Sequence, residues 1–546
     1  MRAARVAAMA SCLNWPPVFY DACSRMKKCQ PADEKASFVK AGGAPNSPIT
    51  EINQGRMTDR LLVRQSQGKP MSTIDQTAFT GTPAQTRSTG SANRSRAVDR
   101  LLNGSIGGTL WRLSAPNTIG FLVTSGVAVA EMWYVGQLGT QSLAGLALGF
   151  PMFMLMMMLS AGAMGGAMAA AVARAVGAGR ADRTEALVWH ALVIALVTGG
   201  LFSLAFLAFG PALYTFLGGT GGTLAAAVDY SNVLFTGILV VWLFNAFGSV
   251  LRGAGDMKSP ALAMILAAAV QIPFSGALAL GWGPLPRLGI AGVAWGTLMA
   301  YAIATVFLGV LLMSGRRGIR LRVRALQLRW ALFKDILRVG LVASASPVLT
   351  VTTVILLTGL ASRFGDAALA GFGIGSRLEF LLIPVIFGIG AALIAMVGTN
   401  IGAGQMARAH RIAWIGGAAA TVIAGLIGSA AALWPEAWAT IFTDNGAVLV
   451  AASAYLIIVA PFYAFHGLGL SLYFASQGAG TVIWPVVAGA LRLAVAAGGG
   501  ILAVLFFDVT FEGMLVFVAA GMVVFGLGTT SSVWFGAWRR VAPMGL

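Results

Sequence analysis

Between Leu110 and Phe535 the chain alternates long apolar runs with short polar breaks. A helix that crosses a bilayer needs about 20 mostly apolar residues. The pattern supplies that length repeatedly, predicting helices over 110–134, 143–168, 186–209, 224–248, 259–281 and 289–313, then 335–361, 369–396, 410–433, 449–474, 481–506 and 513–536. Barrel strands would alternate apolar and polar positions, whereas a run such as 192–209 is apolar along its whole length. The expected fold class is therefore all-α integral membrane, with twelve transmembrane helices.

The first 104 residues lack this pattern. They are rich in Ser, Thr, Gln, Arg and Pro and cannot bury a core, so they read as a disordered leader or a mis-assigned start upstream of Met57 or Met71. The expected organisation is a leader over 1–104, an N-lobe over 105–313, a basic linker over 314–334 and a C-lobe over 335–546.

Composition supports a lipid environment: 57% of residues are hydrophobic, 10% are charged, and mean hydropathy is +0.80. The net charge of +18 could indicate nucleic acid, but 15 of the 37 Lys and Arg precede Leu101 and the others form no basic, aromatic-interleaved motif. Their placement reports orientation instead. Arg174, Arg180, Arg183, Arg252, Lys258, the cluster from Arg316 to Arg338, Arg408, Arg411, Arg539 and Arg540 fall on one side; Arg287 and Arg363 fall on the other. The positive-inside rule then predicts cytoplasmic termini and a multi-pass protein of the cell (inner) membrane. Cys12, Cys23 and Cys29 all lie in the leader, on the reducing side. His190, His410 and His466 are widely spaced, so neither a metal centre nor an enzyme is expected.

The sequence also repeats itself. Gly177-Ala178-Gly179 recurs as Gly402-Ala403-Gly404, and Gly253-Ala254-Gly255 as Gly478-Ala479-Gly480, both 225 positions on. Tyr230 returns as Tyr455, and the stretch from Gly139 to Gly145 returns from Gly365 to Gly371. Each copy holds six spans, so both enter the bilayer in the same sense: the expected architecture is two parallel six-helix repeats. The Gly-Ala-Gly turns match neither a phosphate loop nor a dinucleotide fingerprint, and tight turns between helices account for them.

Several segments resemble the multidrug and toxic compound extrusion (MATE) transporters. They are Glu131-Met-Trp-Tyr-Val-Gly136, Val176-Gly-Ala-Gly-Arg180, Leu251-Arg-Gly-Ala-Gly-Asp256 with Lys258 and Pro260, Leu288-Gly-Ile-Ala-Gly292, and Val397-Gly-Thr-Asn-Ile-Gly-Ala-Gly404. The resemblance covers about residues 108–538. It implies two lobes around a central cleft, and a secondary active antiporter exporting amphipathic or cationic small molecules against inward protons or sodium ions.

A carboxylate inside a membrane helix is costly unless it meets water, a partner or an ion, so intramembrane acids are the default coupling candidates. Glu131, in the outer half of the first span, matches the position where the family usually has an aspartate; its bland alternative is a glutamate reaching interfacial water. Where family members often carry an asparagine and an aspartate on the fifth span, this chain has Gln271 and Ser275. Asn245 on the fourth span is a further polar candidate or interhelical glue. The lobes hold few acids, too few for an obvious sodium site, so protons are the favoured coupling ion, with sodium the alternative and no cofactor.

His466, Arg377 and Glu379 are candidate cleft residues, with Arg377 and Glu379 two apart and therefore on different helix faces. Arg492 on the eleventh span needs a partner, for which Glu379 is one option. The methionine-rich second span adds Met154 and Met158 as adaptable cleft side chains, against a bland reading of helix packing. The expected partners are small molecules and the lipid bilayer, with no nucleic acid, and the chain is expected to act as a monomer. The alternative function is a lipid-linked precursor flippase of similar architecture, which would call for a basic cavity.

Overall fold

A computed structural model describes residues 97–315 and 327–540; the linker arginines from Arg316 to Arg324 and nearly all of the predicted leader lie outside the described residues. The described chain is helical, and its spans follow the apolar runs. In the first half they are α1 (Ile106–Gln137), α2 (Thr140–Gly177), α3 (Ala181–Phe216), α4 (Gly221–Thr236 with Ile238–Gly253), α5 (Lys258–Leu280) and α6 (Ile290–Ser314). In the second they are α7 (Trp330–Phe364), α8 (Asp366–Gly402), α9 (Met406–Leu433), α10 (Gly446–Ala479), α11 (Ile483–Phe507) and α12 (Phe511–Trp534). Eleven are long and apolar enough to cross a bilayer as single helices; α4, bent by 51° at Gly237, completes the predicted twelve. The bend has a local cause: Leu298 of α6 packs where a Gly237 side chain would stand.

The sequence repeat is a repeat of packing contacts. Gly145 of α2 lets Ala226 of α4 approach, as Gly371 of α8 does for Ala451 of α10; Gly149 abuts Tyr230, and Gly375 abuts Tyr455. The Gly-Ala-Gly turns divide their labour. The second glycine of each, Gly179, Gly255, Gly404 and Gly480, has φ between +70° and +87°, the left-handed conformation that closes a helix C-terminus. The first glycine permits backbone contact: a side chain at Gly253 would strike Ala169, and one at Gly478 would strike Ile394.

Two of these contacts join the lobes. Gly177 on α2 faces the carbonyl of Thr399 on α8, while Gly402 on α8 faces the carbonyl of Arg174 on α2. Residues 174 and 399 are themselves 225 apart, so the contact is reciprocal, as across a two-fold axis. It lies at the end of the bundle where Arg174, Arg183, Arg252 and Arg408 gather, called the basic end below.

Helical structure is present ahead of the predicted lobe boundary at residue 105. Residues 97–103 form a short helix whose Leu101 is 2% exposed. The Asn400 side chain donates to Leu101 O (3.0 Å), Arg408 donates to Gly104 O, and the Leu101 side chain lies against Gly255. One leucine in a polar stretch gives no periodicity, which is why the sequence hides this strap.

Two spans depart from α-helical winding. Met158–Met164 in α2 and Ala494–Gly499 in α11 are π-helical. Such segments displace carbonyls from the regular ladder and often sit at functional positions.

Candidate functional site

Glu131 lies six residues before the end of α1, where α1 packs against α5 and α6. The latter two meet almost backbone to backbone, because Gly292 faces Leu278 and Gly296 faces Ser275. That proximity brings three donors onto one carboxylate oxygen. Gln271 Nε2 donates to Glu131 Oε1 at 2.7 Å, Thr297 Oγ1 at 3.0 Å and Ser275 Oγ at 3.2 Å. Gln271 and Ser275, four apart on α5, share a helix face.

The two hydroxyls have a second acceptor. Thr297 Oγ1 lies 3.0 Å from Val293 O and Ser275 Oγ 3.4 Å from the same carbonyl. A hydroxyl has one hydrogen, so each points either to the carboxylate or to Val293 O. Thr297 also accepts from Gln271 Nε2 at 3.0 Å.

The structure thus joins Glu131, Gln271 and Ser275 and adds Thr297, which the sequence analysis missed. Its signal was faint: a threonine directly after Gly296, the glycine that allows the approach. Asn245 does not join them. Its Nδ2 donates to Ser160 Oγ (2.9 Å) in the π-helical part of α2, because the second half of α4 turns toward α2 after the bend. Of the two readings given for Asn245, a coupling residue or interhelical glue, this bond fits the second.

A second polar cluster sits in the C-lobe. Arg492 NH2 of α11 pairs with Glu379 Oε1 of α8 at 3.0 Å, and Arg492 NH1 meets His466 Nδ1 of α10 at 3.2 Å. Arginine can only donate, so His466 Nδ1 accepts and its proton sits on Nε2, 3.9 Å from Glu379 Oε1. Tyr455 donates to Glu379 Oε2 at 3.4 Å, and the Arg492 guanidinium lies over Phe525 at 6.0 Å. Glu379 is the partner that Arg492 required. Arg377 points away, as the two-residue spacing predicts, and its guanidinium lies over Phe442 at 5.3 Å near the end opposite the basic loops. Met152, Met156, Met164 and Met168 are buried in packing, while Met154 is 37% exposed and Met158 half-buried.

The lobes are tied together at the basic end by groups that sequence reasoning left unconnected. Asp335, in the second turn of α7, accepts from Arg174 NH2 of α2 (2.9 Å) and Arg183 NH2 of α3 (3.1 Å). Arg174, 4% exposed, also donates to Gly478 O of α10 (3.3 Å). Gln477 Nε2 reaches from α10 to Gly162 O (3.1 Å) and Ala163 O (2.9 Å), carbonyls in the π-helical stretch of α2. A solvent-open cavity of about 830 Å³ also lies at this end, between residues 97–113 and the α4–α5 turn, apart from both carboxylate clusters.

Against known proteins, the family model MatE matches residues 116–276 and 344–499, more than half of the chain, with one matched stretch in each repeat. The FAD transporter of Shewanella oneidensis is 27% identical over 376 residues, covering 69% of this chain and 82% of that protein. The probable multidrug resistance protein YoeA of Bacillus subtilis is 24% identical, over 65% of this chain and 78% of its own. A MATE crystal structure in the bent conformation superposes with a TM-score of 0.74 at 25% identity, covering 82% of this chain and 98% of that one.

Proposed function

The chain belongs to the MATE family of membrane transporters, and from that premise we propose that it exports small amphipathic molecules in exchange for protons, with Glu131 as the proton carrier. The observation that carries this reading is the set of three donors on Glu131 Oε1. A group that carries a proton must be tolerated in both states. When ionised, Glu131 collects the amide and two hydroxyls, which offset part of the loss of water around a buried charge. When protonated, it releases the hydroxyls to Val293 O, so neither hydroxyl is left without an acceptor.

Protons are favoured over sodium because a sodium site wants several hard oxygen ligands with carboxylate among them, and Glu131 is the only acid in its cluster. The reciprocal glycine contact at the basic end separates when the lobes part there, which alternating access requires. With the positive-inside rule, that end faces the cytoplasm, and this conformation is closed to it.

The flippase alternative would use several free cations in the cleft, yet Arg377 and Arg492 are engaged with Phe442 and Glu379, which leaves Arg252 as a single cation without a carboxylate partner among the described residues. Two similar proteins carry different names, FAD transporter and multidrug resistance protein, so anionic flavins and cationic dyes both belong among the compounds tested.

The test is efflux from proteoliposomes under an imposed proton gradient or sodium gradient, for the natural chain and Glu131→Gln. The glutamine is isosteric and uncharged, and still accepts through its carbonyl oxygen. Proton-driven efflux lost in the variant is the expected result. Transport driven by sodium alone, or undiminished in Glu131→Gln, would sink the assignment.

A further inference from the structure

Arg252, in the last turn of α4, is 7% exposed at the junction of the lobes. A buried guanidinium persists in a membrane protein only where a carboxylate, a set of carbonyls, water or an ion compensates it. Among the described residues Arg252 makes one hydrogen bond, from NH2 to Ser249 Oγ at a long 3.4 Å. Among the described residues no carboxylate pairs with it.

Its counterpart in the second repeat shows what is missing. Gln477, 225 positions on, is also buried, but its Nε2 is saturated by the carbonyls of Gly162 and Ala163 across the lobe boundary. One copy therefore holds a neutral amide with a full set of acceptors. The other holds a cation bonded, among the described residues, only to Ser249, with its remaining N–H groups reaching accessible space.

Arg252 lines a cavity of about 20 Å³ between the lobes, walled by Ser249 and Gly162 from the N-lobe and by Phe387 and Phe474 from the C-lobe. No acidic side chain lines it. The volume accommodates one water-sized or monatomic occupant. A water could accept a hydrogen bond there but would leave the charge uncompensated.

We propose that this cavity is an anion site, in which Arg252 and the Ser249 hydroxyl hold one anionic centre: a halide from solution, or the terminal anionic oxygen of the exported molecule. The proposal rests on the exporter reading and narrows it, because cargo with an anionic group joins the compounds the cleft selects. Both lobes wall the site, so an anion held there favours the conformation closed at the basic end.

The test is thermal unfolding of the purified full chain in micelles, first in sodium gluconate with chloride replacing gluconate at constant ionic strength. Flavin mononucleotide is then compared with riboflavin, which has the same ring system without the phosphate. The natural chain, Arg252→Gln, Arg252→Lys and Ser249→Ala are compared. A saturable rise in Tm with chloride alone identifies a halide site; a rise with flavin mononucleotide and not riboflavin identifies the cargo's anionic oxygen. In either case Arg252→Gln weakens the apparent affinity at least about tenfold, while Arg252→Lys retains most of it.

Arg252→Gln melting at or above the natural chain in gluconate shows that it is folded. A natural chain indifferent to both anions, or a glutamine variant with an unchanged response, overturns the proposal. Proton-driven dye efflux by the natural chain is scored separately: its failure removes the exporter reading and leaves the anion titration to stand or fall alone.

Discussion

Replacing Asp335 with asparagine should loosen the basic end of the bundle, and the geometry sets the size of the effect. Asp335 accepts from Arg174 at 2.9 Å and Arg183 at 3.1 Å. Arg183 and Asp335 are each about a quarter exposed, so the bond between them is screened and contributes about 0–1 kcal/mol. The Arg174 side chain is 5% exposed, and a hydrogen bond to a charged group of that kind contributes about 1.5–3 kcal/mol. Asparagine keeps one acceptor oxygen and loses the charge, so the net loss is about 1–2 kcal/mol. Arg174 belongs to α2 and Asp335 to α7, so the pair holds the lobes together in the closed form. If it breaks on opening, the open population rises about 5- to 30-fold.

The described spans hold no cysteine, which makes labelling direct. With Cys12, Cys23 and Cys29 changed to serine, spin labels at the exposed Ala181 and Ala407 report the separation of the lobes at the basic end. The expected result is a longer-distance population that grows in Asp335→Asn and changes little in Arg183→Gln. An unchanged distance distribution in Asp335→Asn would refute the claim that this pair holds the end closed.

Two further predictions follow from the same kind of reasoning. Glu379→Gln leaves Arg492 a neutral amide oxygen, His466 and the Phe525 ring but no counter-charge, and should destabilise the C-lobe by about 1–3 kcal/mol, whereas Glu379→Gln with Arg492→Gln should recover at least half of that loss; purely additive losses in a denaturation cycle would show that the two do not interact. Gly402→Ala would push a methyl against the backbone of Arg174 and should lower thermal stability and slow transport together, while Gly446→Ala, facing open space, should alter neither, as melting and efflux rates of the two variants would reveal.

Much of the fold was legible because lipid demands long uninterrupted apolar runs, and the repeat was legible because its glycines are required by contact rather than by chance. Gly177 and Gly402 recur since each must admit a backbone carbonyl; Gly179 and Gly404 recur since each must turn left-handed. The site was harder to read. Glu131, Gln271 and Ser275 could be grouped because carboxylates and amides are rare in apolar helices. Thr297 could not, since threonines are common in these spans and only the α5–α6 approach distinguishes it. Asn245 stayed open between a coupling residue and interhelical glue, because the 51° bend at Gly237 in the helix that bears it has no signature in hydropathy. The link between Asp335 and Arg174 was invisible: it joins residues 161 positions apart at a lobe boundary that the sequence does not show.

The reciprocal contact between Gly177 and Thr399, and between Gly402 and Arg174, has an implication for ancestry. A patch that meets its own copy is what a homodimer of six-helix subunits would present, so the seam between the halves suits an origin in which two identical chains assembled before their genes were fused. Fusion frees the halves from having to mutate together. Position 252 could become arginine while position 477 stayed uncharged, and α2 could adopt π-helical turns where α8 stayed regular. Symmetry is retained where the halves touch backbone to backbone and lost at positions 252 and 477, where one side chain faces the space between the lobes and the other crosses their boundary.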